Sequence, residues 1–136
     1  ACTGLSNVIF IDLQPLERLS ELLGLADIHL LPQRADAADL VMPSKLTGML
    51  ASGKSVIATA TSDTELGSVI LNDAQCGLIV EPENGQALAH ALVELSQDSE
   101  QRKILGSNGR HYAENSLSKD KILKKFETDL LNLISQ

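Results

Sequence analysis

Apolar residues along this chain fall into two alternating patterns: short unbroken runs, and stripes with helical spacing. Residues 7–12 read NVIFID. Four consecutive apolar positions without alternation predict a strand covered on both faces, as in a parallel sheet. Pro15 then opens a helix, with Leu16, Leu19, Leu22 and Leu23 on one stripe and Gly24 as its stop. Residues 28–31 (IHLL) form a second short strand ended by Pro32. An irregular polar stretch leads to Pro43 and Ser44, which start a helix running to Ser52, with Gly53 as its C-terminal residue.

The alternation continues. Residues 56–60 (VIATA) are a third strand, rich in β-branched side chains. Asp63 or Thr64 caps a short helix reaching Leu71, and residues 77–80 (GLIV) are a fourth strand. Asn84 caps a helix with the stripe Leu88, Ala91, Leu92 and Leu95. Helices over residues 99–115 and 118–135 follow, the last with Ile122, Leu123, Phe126, Leu130, Leu133 and Ile134 on its stripe. Strands that alternate with helices predict an α/β fold: a Rossmann-like parallel sheet with helices on both faces. The sequence has no internal repeat, low-complexity segment or Pro/Gly-rich linker. It begins only a few residues before a strand of central type, which reads as a piece of a larger protein.

Composition restricts what such a fold can do. In 136 residues, 43 % are hydrophobic and only 2 % aromatic, so the core is aliphatic. Stacking platforms for single-stranded nucleic acid are excluded, and a net charge of −7 argues against nucleic acid as a partner. No apolar run approaches the roughly 20 residues of a membrane helix, and no secretory signal leads the chain. Cys2 and Cys76 form no CxxC pair, and His29, His90 and His111 are scattered, so no metal site is expected. Reduced structural thiols fit the cytoplasm. Residues 1–100 carry a net −10 and residues 101–136 a net +3. That basic C-terminal third is ordinarily a solvated helix face; docking to lipid headgroups at the inner face of the plasma membrane is the sharper alternative.

Residues 48–55 read GMLASGKS and match the phosphate-gripping pattern G-x-x-x-x-G-K-[ST]. That chemistry requires a strand before the loop and a helix after it. Here a helix precedes and a strand follows, so the match is refused as a nucleoside triphosphatase site. The same logic works a few residues earlier. Pro43, Ser44, Lys45, Leu46, Thr47 and Gly48 follow a strand and loop and begin a helix. Backbone amides, the Ser44 hydroxyl and the Lys45 ammonium could bind a diphosphate there, and Gly48 would let a ligand approach closely. A plain N-cap and a surface charge are the ordinary alternative.

The run PSKLTGMLASGKSVIATATSDTELGSVI, followed by CGLIVEPEN, LAHALVEL and LGSNGRHYAENSL, resembles the C-terminal domain of family-4 retaining glycosyltransferases of GT-B architecture. It is most like bacterial enzymes of colanic acid biosynthesis, and the likeness spans residues 7–134. The resemblance implies a donor site for a nucleotide sugar (GDP or UDP) and transfer of a hexose or deoxyhexose in exopolysaccharide biosynthesis. The acceptor would be a glycan or a lipid-linked molecule, presented by an N-terminal domain outside this chain. No further cofactor is implied, and no metal.

Ser44, Lys45 and the amides of Leu46, Thr47 and Gly48 would lie at the donor diphosphate. Residues 61–65, including Glu65, would cover the donor, and residues 12–14, including Leu13, would lie near the base. Glu65 as an ordinary first-turn carboxylate remains open. The family's paired glutamates, spaced E-x7-E, are replaced here by Leu40 and Gly48. Their roles do not transfer, and no catalytic residue is assigned. Residues 1–136 are then a partial donor-binding domain, with residues 118–136 as its C-terminal helix. Two strands that should lie between residues 8–11 and 28–31 are expected to be missing, which leaves a gap, an altered pairing, or strands supplied by residues outside this sequence or by another chain. The rival class is a non-catalytic α/β nucleotide-binding or interaction domain.

Overall fold

The computed structural model describes residues 4–34 and 42–134. Three parallel strands form its sheet: β1 (Ile28–Leu31), β2 (Ser55–Thr59) and β3 (Gly77–Val80), in the spatial order β1-β2-β3. Ile28 is in register with Ser55 and Leu31 with Ala58; Val56 is in register with Gly77 and Thr59 with Val80. The helices are α1 (Leu19–Gly24), α2 (Lys45–Ala51), α3 (Glu65–Ser68), α4 (Gly85–Gln97), α5 (Ser99–Ser116) and α6 (Lys119–Ile134). A 3-10 turn (Leu16–Arg18) precedes α1, and a π-helical turn (Val69–Asp73) continues α3.

All five residues of β2 are buried, because it is the central strand and both its faces are covered. Side chains alternate across a strand, so its residues build two separate cores. Val56 and Ala58 pack with Leu46 and Leu50 of α2, Leu66, Ile70 and Ala113 of α5. Ile57 points the other way, to Val80 and to Ala91 and Leu95 of α4. The expected α/β arrangement, with helices on both faces of a parallel sheet, is therefore present.

Several ends are fixed by single residues. Thr64 caps α3, its hydroxyl accepting from the Gly67 amide at 3.1 Å. Asn84 caps α4 through the Ala87 amide at 3.0 Å. Gly53 closes α2 with φ +72°, a conformation that glycine adopts without a Cβ penalty.

The strand expected at residues 7–12 is not formed. Residues 7–15 hold neither helix nor strand, with Ile9 84 % and Phe10 76 % exposed. A strand must satisfy its backbone groups with a neighbour. Among the described residues none pairs with residues 7–12 or with the outer edge of β1. That edge remains open, and Leu30 is 41 % exposed although its register mate Ile57 is buried. The helix expected from Pro15 is real but short, and none of its residues is buried.

His29 sits inside β1 and is buried. Its Nε2 lies 2.9 Å from the Ser52 hydroxyl, which itself donates to the Met49 carbonyl at 2.6 Å. The hydroxyl proton is thus committed, and His29 Nε2 is the donor. The ring ties β1 to the C-terminal turn of α2. Burial first, and then the Lys54 charge, lower its pKa from the ordinary value. A lowered folded pKa means that the unfolded chain binds the proton more readily. Stability from this group is therefore full above the ordinary histidine range and lost as pH falls below it. Thermal melts at pH 7.5 and 5.5 are expected to show a drop in midpoint that shrinks in His29→Gln; an equal drop in both proteins would refute the assignment.

Candidate functional site

Every chain segment that leaves a strand in this sheet starts at its carboxyl edge, because all three strands are parallel. Ligands of open α/β sheets bind beyond that edge. Two of the expected site segments start there. One is the N-terminus of α2, which follows β1; the other is the turn 60–65, which follows β2.

At the first, Ser44 has helical φ −58° and ψ −25°, and its side chain makes no capping hydrogen bond. Its hydroxyl is not spent on the helix. Ser44, Lys45 and Thr47 are exposed. Leu46 is different. Its side chain is 3 % exposed in the core, and its amide donates to the Pro43 carbonyl at 3.0 Å. That N–H closes the first turn of the helix. Gly48 also has another use. A Cβ there would meet Leu23 Cδ1 at 3.2 Å, so its bare Cα admits the side chain of α1. Small size at this position serves helix packing.

The second segment is held by its own hydrogen bonds. The Thr64 hydroxyl donates to the Thr61 carbonyl at 2.7 Å while accepting from Gly67. The Thr61 hydroxyl donates to the Asp63 carboxylate. That bond lowers the Asp63 pKa from its ordinary value and keeps the group ionised. Gly67 approaches this turn so closely that a Cβ would lie 2.1 Å from the Thr61 carbonyl oxygen. Glu65 is exposed in the first turn of α3. Carboxylates such as Asp63 and Glu65 only accept hydrogen bonds, which suits hydroxyl groups; the Lys45 ammonium suits phosphate.

Leu13 stands apart from both. It is fully exposed on the irregular stretch before the first helical turn. Leu40 lies outside the described residues. Lys54 follows Gly53 and immediately precedes β2, at the opposite end of the sheet from Lys45. The GMLASGKS match therefore spans the end of a helix and the start of a strand, the reverse of a phosphate loop. Among the described residues no group of His, Cys, Asp and Glu is placed to hold a metal ion. Cys76 is fully buried and its thiol is pushed up to about 11 by burial, which leaves it unreactive.

Sequence reasoning missed two residues at the carboxyl edge. Gln33 donates its amide to the Thr59 hydroxyl at 2.6 Å, and that hydroxyl donates to the Gln33 carbonyl at 2.6 Å. No local pattern announces the pair, because the two residues are 26 apart in the sequence. A cavity of about 550 Å³ is also present, lined by Asp73, Gln75, Asn108, His111, Tyr112 and Asn115 among others. It lies before β3, at the amino end of the sheet, away from the expected site.

The family model described as glycosyl transferases group 1 matches residues 2–112. A colanic acid biosynthesis glycosyl transferase, so named, of Escherichia coli (strain K12), WcaI, is 36 % identical over 127 residues. The match covers 93 % of this chain and 30 % of the relative, so the chain spans less than a third of that protein's length.

Proposed function

The chain belongs to the group 1 glycosyl transferases, and from that premise we propose that it forms the donor-binding part of a bacterial exopolysaccharide glycosyltransferase. The donor is a sugar carried on GDP or UDP, and a hexose or deoxyhexose passes, with retention, to a glycan or lipid-linked acceptor. The name of the Escherichia coli relative supports the polysaccharide context. The observation that carries the reading is the pairing of chemistries at the sheet's carboxyl edge. An uncommitted Ser44 hydroxyl and an exposed Lys45 start one segment there, and the ordered Asp63 and Glu65 turn forms the other. The first suits a diphosphate and the second suits sugar hydroxyls. Catalysis then rests on stabilising the departing diphosphate electrostatically.

The acceptor and the remaining sheet belong, in this reading, to sequence beyond the 136 residues. The open edge of β1 and the half-uncovered Leu30 support additional strands on that side. An active cleft then lies between this part and a second domain. No helix among the described residues is long and apolar enough to cross a membrane. We place the enzyme in the cytoplasm, working at the inner face of the plasma membrane where its acceptor is lipid-linked.

The two lysines provide the test. Lys45 stands in the first turn of α2, where the helix dipole attracts anions; Lys54 stands beyond its last turn, where the dipole repels them. In the full-length protein, Lys45→Ala is expected to weaken nucleotide-sugar binding by about 1–3 kcal/mol, the scale of a charge-assisted hydrogen bond. Lys54→Ala should change it by less than about 0.5 kcal/mol. Calorimetric titration with UDP and GDP sugars measures both. If Lys54 proves the more costly, the donor site is elsewhere and the refused phosphate-loop match must be reopened.

A further inference from the structure

The hydrogen-bond ladder between β1 and β2 stops at Leu31 and Ala58. Pro32 follows on the outward side of β1, and the next backbone amide that faces β2 is that of Gln33. One residue later the Thr59 side chain takes over. Its single hydroxyl accepts from the Gln33 amide and donates to the Gln33 carbonyl, both at 2.6 Å. It thus does for Gln33 what a neighbouring strand's backbone would do. Thr59 is itself 8 % exposed and lies in the last position of the central strand, in register with Val80. The clamp therefore has a rigid base.

Both products of this clamp bear on the carboxyl edge of the sheet. On one side it sets where the chain leaves β1, the strand whose outer edge is unpaired among the described residues. If further strands join that edge, the strand order reverses at β1, and the ligand crevice of such sheets opens beside it. On the other side Thr59 leads directly into the turn 60–65. The Ala60 amide bonds to the Val80 carbonyl at 3.0 Å, and the Thr61 carbonyl accepts from Thr64. The two walls of the crevice are joined at this one hydroxyl.

We propose that Thr59 is a positioning residue of the donor site, which fixes the chain leaving β1 against the turn that follows β2. It acts through Gln33 and touches no donor atom itself. The proposal rests on the donor-binding reading above. The chemistry needed is only a hydroxyl, so valine keeps the shape and removes the function, while serine keeps it.

Calorimetric titration of the full-length protein with UDP and with GDP provides the test, alongside thermal melts of each variant. Thr59→Val is expected to weaken the bound nucleotide about tenfold, and Thr59→Ser to stay within about twofold of the parent. A merely structural hydroxyl would lower the melting temperature and leave the dissociation constant unmoved, and that result overturns the proposal. Equal loss in the serine variant overturns it too. Where Thr59→Val does not fold, amide hydrogen exchange of the unaltered protein carries the test. Nucleotide is then expected to slow exchange at Gln33 and along the turn 60–65, and unchanged exchange with nucleotide bound overturns the proposal. If the unaltered protein binds neither nucleotide, the donor reading itself fails and this proposal falls with it, an outcome distinct from the others.

Discussion

Gly106→Ala is expected to destabilise the protein by about 2–4 kcal/mol, despite replacing a poor helix former with the best one. Gly106 lies inside α5, where intrinsic propensity alone would favour alanine by about 1 kcal/mol. Packing opposes it. A Cβ at Gly106 would lie 2.2 Å from the carbonyl oxygen of Gly53 and 2.9 Å from its carbonyl carbon. Both are backbone atoms of the tight turn that closes α2 and feeds β2, and neither can rotate aside. Gly53 is itself held at φ +72°. The helix must retreat or the turn must deform, and overpacking of this kind costs more than propensity returns. Urea unfolding followed by circular dichroism measures the difference. A variant as stable as the parent would show that α5 does not seat on this turn.

Leu50→Ala is expected to cost about 3–5 kcal/mol, the upper range for a leucine truncated in a closed core. Leu50 is 0 % exposed. Its Cδ2 lies 3.1 Å from where a Cβ of Gly109 would stand, so α2 and α5 meet without an intervening side chain. The site cannot collapse easily, because β2 backs it with Val56 and Ala58. The loss should also loosen α2, at whose N-terminus the proposed donor site lies, and so reduce nucleotide binding. Phe126→Ala is the control. Phe126 is 62 % exposed on α6, which has no buried residue, and its loss should cost less than about 0.5 kcal/mol in the same urea titration. A larger effect at Phe126 than at Leu50 would mean that the core has been placed wrongly.

The three strands that formed were legible because each is a short apolar run between turn residues, and each has a partner in the same chain. Residues 7–12 carry as strong a strand pattern as IHLL or GLIV, yet form none. A strand is a relation between two segments, and composition reports only one of them. The stripe on α6 illustrates the same limit. Ile122, Leu123, Phe126, Leu130, Leu133 and Ile134 share a face at helical spacing, yet all remain exposed. Periodicity specifies which face is apolar and says nothing of what covers it.

The site divides the same way. The helix starts at Ser44 and Lys45 and at Thr64 and Glu65 were legible because a helix start after a strand and loop is a local feature, fixed by neighbours in sequence. Gly48 was legible as a place of close approach, but its visitor is Leu23 of α1, 25 residues earlier in the sequence. The Thr59–Gln33 clamp joins residues 26 apart and has no local signature.

The sequence by itself determined the alternation of three strands with helices, the caps at Thr64 and Asn84, the reversed sense of the glycine–lysine motif and the helix start at Ser44 and Lys45, because each depends on contacts within a few residues. Only the tertiary structure decided which apolar runs become strands, which glycines accept a neighbour's backbone and which hydroxyl closes the sheet at its carboxyl edge. Those outcomes depend on segments far apart in the chain, whose backbone groups must find partners in space before any of them is stable.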